Sequence, residues 1–147
     1  MSKAISAREI AGITGMKITD EQIDIVEAGL TPAVVIAGAG SGKTETMATR
    51  VLWLVANGYA KPEEILGLTF TRKAAGELKQ RIKRRLQQLR SEGKIEGTFS
   101  LEVPVMTYHS YAGNILSEYG LRLGIDTDSE LIGEATVWQQ AAQILRN

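Results

Sequence analysis

An α/β fold, with a parallel sheet flanked by helices, is the fold class that the sequence predicts, and three observations support it. The composition of the 147 residues, 44% hydrophobic and 23% charged, is that of an ordinary soluble globular protein. Short apolar, β-branched runs alternate with longer stretches of helical periodicity, which is the pattern of parallel strands joined by helices. A Gly-rich turn stands between the first apolar run and the helical stretch that follows it.

Three apolar runs are predicted to form the strands of this sheet. Val34–Ala37 is the first, and its continuous apolar character is typical of a strand that is buried on both faces. Ile65–Phe70 is predicted to be a second buried strand. Val103–Thr107 is the third, and it follows two chain-breaking residues, Gly93 and Gly97.

Helices are predicted before, between and after these strands. Thr19 as N-cap and Gln22 three positions later form a capping box, which starts a short helix. Residues 1–16 are mixed in composition and contain glycine, so we expect a loosely held leader there. Apolar residues at helical spacing predict four further helices, over Thr44–Asn57, Lys73–Arg90, Tyr111–Tyr119 and Thr136–Asn147.

Helical periodicity also predicts which side chains face inward. In the helix over 44–57, the apolar stripe comprises Met47, Val51, Leu54 and Val55. In the helix over 73–90, the inward residues are Ala75, Leu78, Ile82 and Leu86. The final helix places Val137, Ala141 and Leu145 on one face with no visible partner, so we expect that face to lie exposed and to favour self-association.

The composition excludes several classes of protein. The sequence has no cysteine, which excludes a disulfide scaffold, a thiolate zinc site and a cysteine nucleophile. It has no run of the ~18–20 apolar residues that a bilayer span requires, and its first residues lack the apolar core of a secretory signal. We therefore expect a cytoplasmic protein with no membrane partner.

The formal net charge of zero conceals a segregation of charge along the chain. Residues 72–94 contain nine Lys or Arg and two Glu, whereas residues 95–147 contain two Arg and seven acidic residues. This asymmetry is compatible with an anionic partner that meets one segment of the chain. It is equally compatible with a solvated helix face, and the charge count alone leaves both interpretations open.

The Gly-rich turn fits the phosphate-binding pattern of a small residue, four positions and then Gly-Lys-Thr. Its eight residues are Ala37, Gly38, Ala39, Gly40, Ser41, Gly42, Lys43 and Thr44. Glycines allow consecutive backbone N–H groups to converge on phosphates, because Cβ atoms would obstruct that approach. The helix that follows presents the positive end of its dipole to the same phosphates.

Two side chains of this loop are predicted to act directly on the nucleotide, and we assign both a catalytic role. Lys43 places a positive charge at the β- and γ-phosphates, and the Thr44 hydroxyl is a hard oxygen ligand for Mg²⁺. The pattern, in its position between a predicted strand and a helix, therefore indicates a P-loop NTPase that binds ATP with Mg²⁺. The alternative is a Gly-rich turn with an incidental lysine.

Three further blocks accompany the loop: Ile18–Gln22, Leu68–Ala75 and Val105–Tyr111. In this order and at this spacing, the loop and the blocks resemble the UvrD/Rep group of superfamily 1 DNA helicases over nearly the whole chain. The resemblance implies a RecA-like parallel sheet, incomplete in this chain, with the start of a helical inserted subdomain. It also implies that the parent protein is an ATP-driven translocase acting on single-stranded DNA.

By the same resemblance, Gln22 reads the adenine edge, for which an amide offers one donor and one acceptor together. On the residues alone, a capping-box role is the more common explanation of Gln22. Relatives commonly carry Arg directly after the Gly-Lys-Thr, where it stacks on adenine, whereas this chain has Glu45 at the nucleotide-contacting position. Arg50, almost two turns further along the helix, is not an obvious substitute.

The resemblance also implies two DNA-contacting turns. In the first, Phe70 offers a ring for a base, although its alternative is a core aromatic residue that ends a strand. Thr71, Arg72 and Lys73 suit phosphate contacts, and relatives commonly have Asn where Arg72 stands. In the second turn, the implied DNA-contacting residues are Thr107, Tyr108, His109 and Ser110.

A division of the chain follows from the resemblance: a leader, 1–16, the first part of a RecA-like ATP-binding motor domain, 17–112, and the start of a helical subdomain, 113–147. The carboxylate pair and the arginines that hydrolysis requires are implied to lie in the remainder of the helicase chain. We therefore expect these residues alone to bind nucleotide weakly and without turnover. The alternatives are a small P-loop kinase and a self-contained nucleotide-binding module.

Overall fold

The computed structural model of the chain describes residues 4–124 and 134–145. The chain divides into two compact units, Met1–Thr107 and Tyr108–Asn147. The helices of the first unit are α1 (Ala7–Thr14), α2 (Asp20–Val26), α3 (Lys43–Ala56) and α4 (Arg72–Ser91), with a 3₁₀ turn at Pro62–Glu64. Its strands are β1 (Gly67–Thr69) and β2 (Val105–Thr107). None of the helices in the described ranges is long and apolar enough to cross a membrane.

Helices α1, α3 and α4 enclose the core of the first unit. Helix α4 buries Ala75, Leu78, Ile82 and Leu86, as the sequence predicts, because these positions recur every three or four residues on one face. Their partners come from the other helices and from the segment after α4. The core cluster comprises Ile5, Ile10, Ala48, Leu52, Val55, Leu78, Ile82, Leu86, Leu89, Ile95, Leu101 and Val103.

The prediction of a loosely held leader is wrong. Helix α1 lies within the predicted leader, and Ser6 caps it by accepting a hydrogen bond from the Glu9 N–H at 3.1 Å. Ile10 is fully buried in the core. The side-chain amide of Asn57 accepts from the Ile5 N–H at 2.9 Å and donates to the Ile5 carbonyl at 3.0 Å. The segment before α2 is therefore an integral part of the first unit.

The sheet is parallel, as predicted, and contains two strands among the described residues. Strands β1 and β2 pair in register with Gly67 opposite Val105 and Thr69 opposite Thr107. The predicted first strand, Val34–Ala37, is wrong: these residues form no strand, and Val34 and Ile36 are 89% and 95% exposed. A buried strand requires paired strands at its edges and helices over its faces, and among the described residues β1 and β2 pair only with each other.

The second unit contains α5 (Tyr108–Tyr119), a 3₁₀ turn at Gly120–Leu123 and α6 (Glu134–Ile144). The two predicted helices are thus confirmed, with α5 starting earlier than predicted and the last two residues of the chain outside the described ranges. Of the face that the sequence predicts to be exposed, Val137 of α6 and Leu145, one residue after α6, are exposed, whereas Ala141 is half-buried.

Candidate nucleotide-binding site

The Gly-rich loop leads directly into α3 and adopts backbone conformations that favour glycine. Gly40 and Gly42 have φ angles of 77° and 83°, in the left-handed region that side chains with a Cβ rarely adopt. Gly42 is the N-cap of α3, and its carbonyl accepts from the Thr46 N–H at 2.9 Å and the Thr46 hydroxyl at 3.2 Å. The loop therefore opens a helix, as the phosphate-binding pattern requires.

The amino end of α3 differs from those of α1, α2 and α4. Those three helices have a hydroxyl N-cap, Ser6, Thr19 or Thr71, that accepts a backbone N–H of the first turn. Helix α3 has Gly42 as its N-cap, which provides no side-chain hydrogen bond. The first-turn N–H groups of α3 thus receive no side-chain cap and can donate hydrogen bonds to an external anion, an arrangement that fits a phosphate ligand.

Lys43 and Thr44 lie where the loop meets the helix, and both are exposed. The Lys43 ammonium donates to the carbonyls of Ala37, at 3.1 Å, and Gly38. Its charge is therefore held over the loop backbone rather than pointing away into solvent. The Thr44 hydroxyl, in the first turn of α3, is a hard oxygen donor of the kind that Mg²⁺ prefers.

Gln22 connects α2 to the loop. The predicted capping box is confirmed: the Gln22 N–H donates to the Thr19 hydroxyl at 3.4 Å, and the Gln22 amide oxygen accepts from the Thr19 N–H at 3.1 Å. The Gln22 amide nitrogen also donates to the Ser41 carbonyl of the loop at 3.1 Å. A Cβ atom at Gly42 would lie 2.9 Å from that nitrogen, so the Gln22 amide would have to shift to accommodate it. The capping contact thus uses the amide oxygen of Gln22, and the loop contact uses its amide nitrogen.

A cleft of about 620 Å³ extends from the loop between α2 and α3, which is within the usual range for small-molecule sites. Its lining combines loop residues, Ser41 and Lys43, with apolar side chains that include Ile25 and Met47. Glu21 lies at this cleft, and a hydrogen bond with Thr19 holds the pKa of its carboxyl below the ordinary value. The cleft thus offers polar groups at the loop and apolar surface elsewhere.

Glu45 is not among the residues that line this cleft, and its carboxylate contacts α4. Its carboxylate accepts hydrogen bonds from Arg81 at 2.5 Å and Arg85 at 2.6 Å, both on α4. The Arg85 side chain is only 9% exposed, whereas that of Glu45 is 41% exposed. Glu45 therefore connects α3 to α4 and compensates the charge of a nearly buried arginine.

The first implied DNA-contacting turn lies at the start of α4. Phe70 is 88% exposed, so it is not the core aromatic residue of the alternative interpretation. The Thr71 hydroxyl accepts from the Ala74 N–H at 3.1 Å as the N-cap of α4. Arg72 and Lys73 follow in the first turn, and both are exposed. An exposed ring and two exposed cations thus lie within four consecutive residues.

More than half of the cations in the basic segment are paired within the chain. Five of its nine cations form ion pairs with three carboxylates: Lys79 and Lys83 with Glu102, Arg81 and Arg85 with Glu45, and Lys94 with Glu9. The Lys83 ammonium donates to Glu102 at 2.6 Å, and this contact lowers the pKa of the Glu102 carboxyl. The other four cations, Arg72, Lys73, Arg84 and Arg90, form no ion pair with any residue in the described ranges, and Arg90 instead donates to the Phe99 carbonyl at 2.9 Å and lies over the Phe99 ring. The exposed cations without an ion pair are therefore those at the start of α4 and Arg84.

The second implied DNA-contacting turn is divided between the two compact units. Thr107 ends β2 in the first unit and is buried. Tyr108, His109 and Ser110 form the first turn of α5 in the second unit, and all three are exposed. The exposed three remain candidates for contact with a nucleic acid.

Arg50 is a cleft residue to which the sequence gives no role. Its guanidinium donates to the carbonyls of Val26 at 2.7 Å, Ala28, and Gly29 at 2.7 Å. It also lies 5.6 Å from the centre of the Trp53 ring. No local pattern indicates these contacts, because the carbonyl partners are separated from Arg50 by more than 20 residues in the sequence.

Comparison with known proteins finds a helicase family and relatives that are named as DNA helicases. A family model described as the UvrD/REP helicase N-terminal domain matches residues 18–147. The chain is 36% identical over 115 residues to the ATP-dependent DNA helicase UvrD2 of Mycobacterium tuberculosis, covering 78% of this chain and 16% of that protein. It is 31% identical to DNA helicase II of Escherichia coli, covering 78% and 15%, and 30% identical to the ATP-dependent DNA helicase PcrA of Staphylococcus aureus, covering 86% and 16%. The chain thus spans about one sixth of the length of these curated relatives.

Proposed function

Because the chain belongs to the UvrD/REP helicase N-terminal domain family, we propose that it is the ATP-binding front part of an ATP-dependent DNA helicase that moves along single-stranded DNA. The observation that carries the proposal is the amino end of α3, where Gly42 leaves the first-turn amides uncapped beside Lys43. The relatives that it matches are DNA helicases, two of them named as ATP-dependent.

The nucleotide fits the loop through main-chain amides and two side chains. The backbone N–H groups from Gly40 to Thr44 would donate hydrogen bonds to phosphate oxygens, and Lys43 would exchange its loop carbonyls for the β- and γ-phosphates. Thr44 would contribute a ligand to Mg²⁺, which neutralises phosphate charge when it is bound. Gln22 lines the same cleft, and its amide would have to exchange its contacts with the Thr19 N–H and the Ser41 carbonyl for the adenine edge. The P-loop, RecA-like fold and the division at 17–112 and 113–147 are part of this proposal.

Single-stranded DNA is the proposed partner of the exposed residues Phe70, Arg72 and Lys73, together with 108–110 of the second unit. Phe70 offers a stacking surface for a base, and the two cations suit backbone phosphates. Thr71 acts through the capping of α4 in this proposal. Each unit would contribute its own contacts.

Nucleotide binding without turnover is the proposed behaviour of these 147 residues alone. Hydrolysis requires a carboxylate pair for the Mg²⁺ shell and the attacking water, together with arginines for the developing charge. No Asp-Glu pair follows an apolar run in this sequence. The remainder of a longer helicase chain would supply these groups. Turnover of ATP by this chain alone, stimulated by DNA, would contradict this part of the proposal.

Lys43→Ala tests the nucleotide site, with Mg²⁺-ATP affinity measured by isothermal titration calorimetry. A hydrogen bond to a charged group contributes about 1.5–3 kcal/mol, so the affinity should fall about 10- to 100-fold. Lys61→Ala removes another exposed lysine, which does not line the cleft, and should leave the affinity unchanged. Unchanged affinity in Lys43→Ala, or an equal loss in both variants, would contradict the proposed site.

A further inference from the structure

Arg50 makes an unusual set of contacts for a residue in the middle of a helix. Its two terminal nitrogens donate to three backbone carbonyls, those of Val26, Ala28 and Gly29, at the carboxyl end of α2. The last carbonyls of a helix have no partner within the helix, so a guanidinium there satisfies them and complements the helix dipole. The Trp53 ring, which stacks on Tyr59 at 4.9 Å, lies against the same guanidinium and limits its movement.

Helix α2 is therefore attached to α3 and its loop at both ends. At its amino end, the Gln22 amide donates to the Ser41 carbonyl. At its carboxyl end, Arg50 is the attachment. A seven-residue helix is far too short to be stable by itself, so its position depends on contacts of this kind.

The two attachments meet the cleft at different places, one at the phosphate loop and the other within α3. Ser41 and Lys43 belong to the phosphate loop, whereas Arg50 lies almost two turns into α3 and lines the cleft with Ala28 and Gly29. Phosphates held at the loop leave the sugar and base to occupy the remaining cleft. Loosening the Arg50 attachment should therefore alter the wall that meets the nucleoside, while the loop amides and Lys43 keep their geometry.

We propose that Arg50 is a positioning residue that holds α2 and the Ala28–Gly29 turn as the nucleoside wall of the cleft, and thereby sets the preference for a nucleoside triphosphate over bare triphosphate. This inference rests on the proposed nucleotide site. Since the guanidinium is engaged with three carbonyls, it acts through the wall and not as a stacking partner of the base.

The test compares Mg²⁺-ATP with Mg²⁺-tripolyphosphate by isothermal titration calorimetry, using Arg50→Lys and Arg50→Met in the 147-residue chain. Lysine keeps the charge but lacks the planar fork that reaches several carbonyls. The ratio of ATP affinity to tripolyphosphate affinity should fall about tenfold in Arg50→Met and severalfold in Arg50→Lys. Amide hydrogen exchange over 20–29 should accelerate in both variants, because α2 opens more often.

Arg122→Met is the matched control. Arg122 also lies over an aromatic ring, that of Tyr119 at 5.4 Å, but it belongs to the second unit. Its loss should leave the affinity ratio and the exchange of α2 unchanged. An unchanged ratio in Arg50→Lys, an equal loss of both ligands, or unchanged exchange over 20–29 would overturn the inference. Failure of the unaltered chain to bind ATP would instead overturn the proposed function.

Discussion

Helices α3 and α4 are the two longest helices of the first unit, yet their amino ends differ. Gly42 is the N-cap of α3 and leaves the first-turn amides without a side-chain cap. Thr71 begins α4 and occupies the Ala74 amide with its hydroxyl. In the proposed function, α3 thus meets nucleotide phosphates mainly with its main chain, whereas α4 meets DNA with the side chains of Phe70 and two cations.

The difference follows from what each ligand requires. A nucleotide has one fixed triphosphate, which converging amides can surround with a specific geometry. Single-stranded DNA moves past its site, and exposed cations and a flat ring tolerate any sequence. The carboxylate of Glu45 in the first turn of α3 and the two arginines of α4 join these two helices. The predictions below test this connection and then each amino end separately.

The largest effect is expected from Glu45→Ala, which removes the connection. Arg85 would remain 9% exposed without its carboxylate, and breaking a buried pair costs about 3–5 kcal/mol. Because Glu45 is itself 41% exposed, we expect a smaller loss, about 2–3 kcal/mol in the free energy of unfolding measured with urea.

Glu102→Ala is the control for this prediction. Glu102 also binds two cations, but Lys79 and Lys83 are each 45% exposed, so its loss should lower the free energy of unfolding far less than the loss of Glu45. In the double variant Glu45→Ala/Arg85→Met, no unpaired charge is left buried, and the loss should be less than the sum of the two single losses. Equal effects of Glu45→Ala and Glu102→Ala would show that the connection is an ordinary surface ion pair.

The contrast between α4 and α3 also explains how far the sequence could predict the core. Helix α4 has a single apolar stripe among charged residues, so the helical period of its apolar residues identifies one buried face. The prediction is confirmed at all four inward positions. Helix α3 has apolar residues around much of its circumference. Its predicted stripe is therefore only partly right: Val55 is buried, but Met47 is exposed, and Ala48 and Leu52 are buried in its place.

Long-range contacts account for what the sequence could not predict. The glycines and the capping box are local patterns, and they predict the loop, the start of α3 and the contact of Gln22 with Thr19. The partners of Glu45 lie 36 and 40 residues further along the chain, and no local signal marks them. Val34–Ala37 has strand composition, but a strand also needs paired neighbours, which composition does not provide.

A graded series of glycine substitutions tests the main-chain character of the α3 amino end. Gly42→Ala forces a Cβ into a left-handed conformation, which costs about 1–2 kcal/mol, and places it 2.9 Å from the Gln22 amide nitrogen. Gly40→Ala has the same conformational cost, but no atom lies within 4 Å of the new Cβ. Gly38→Ala has neither the conformational cost nor a close contact. We expect Mg²⁺-ATP affinity to fall about tenfold or more in Gly42→Ala, less in Gly40→Ala and least in Gly38→Ala. Equal affinities in all three variants would show that the loop backbone does not shape the site.

The smallest effect is expected at the amino end of α4, where exposed side chains act singly. Lys73→Gln should weaken binding to a single-stranded oligonucleotide severalfold and reduce the slope of log affinity against log salt by about 0.7, the value for one phosphate contact. Lys83→Gln is the matched control, because Glu102 already neutralises Lys83, and its slope should stay unchanged. Fluorescence anisotropy between low and moderate salt measures both slopes. Equal reductions in the two variants would mean that the whole basic face of α4 attracts DNA, whereas an unchanged slope in Lys73→Gln would remove this end of α4 from the DNA site.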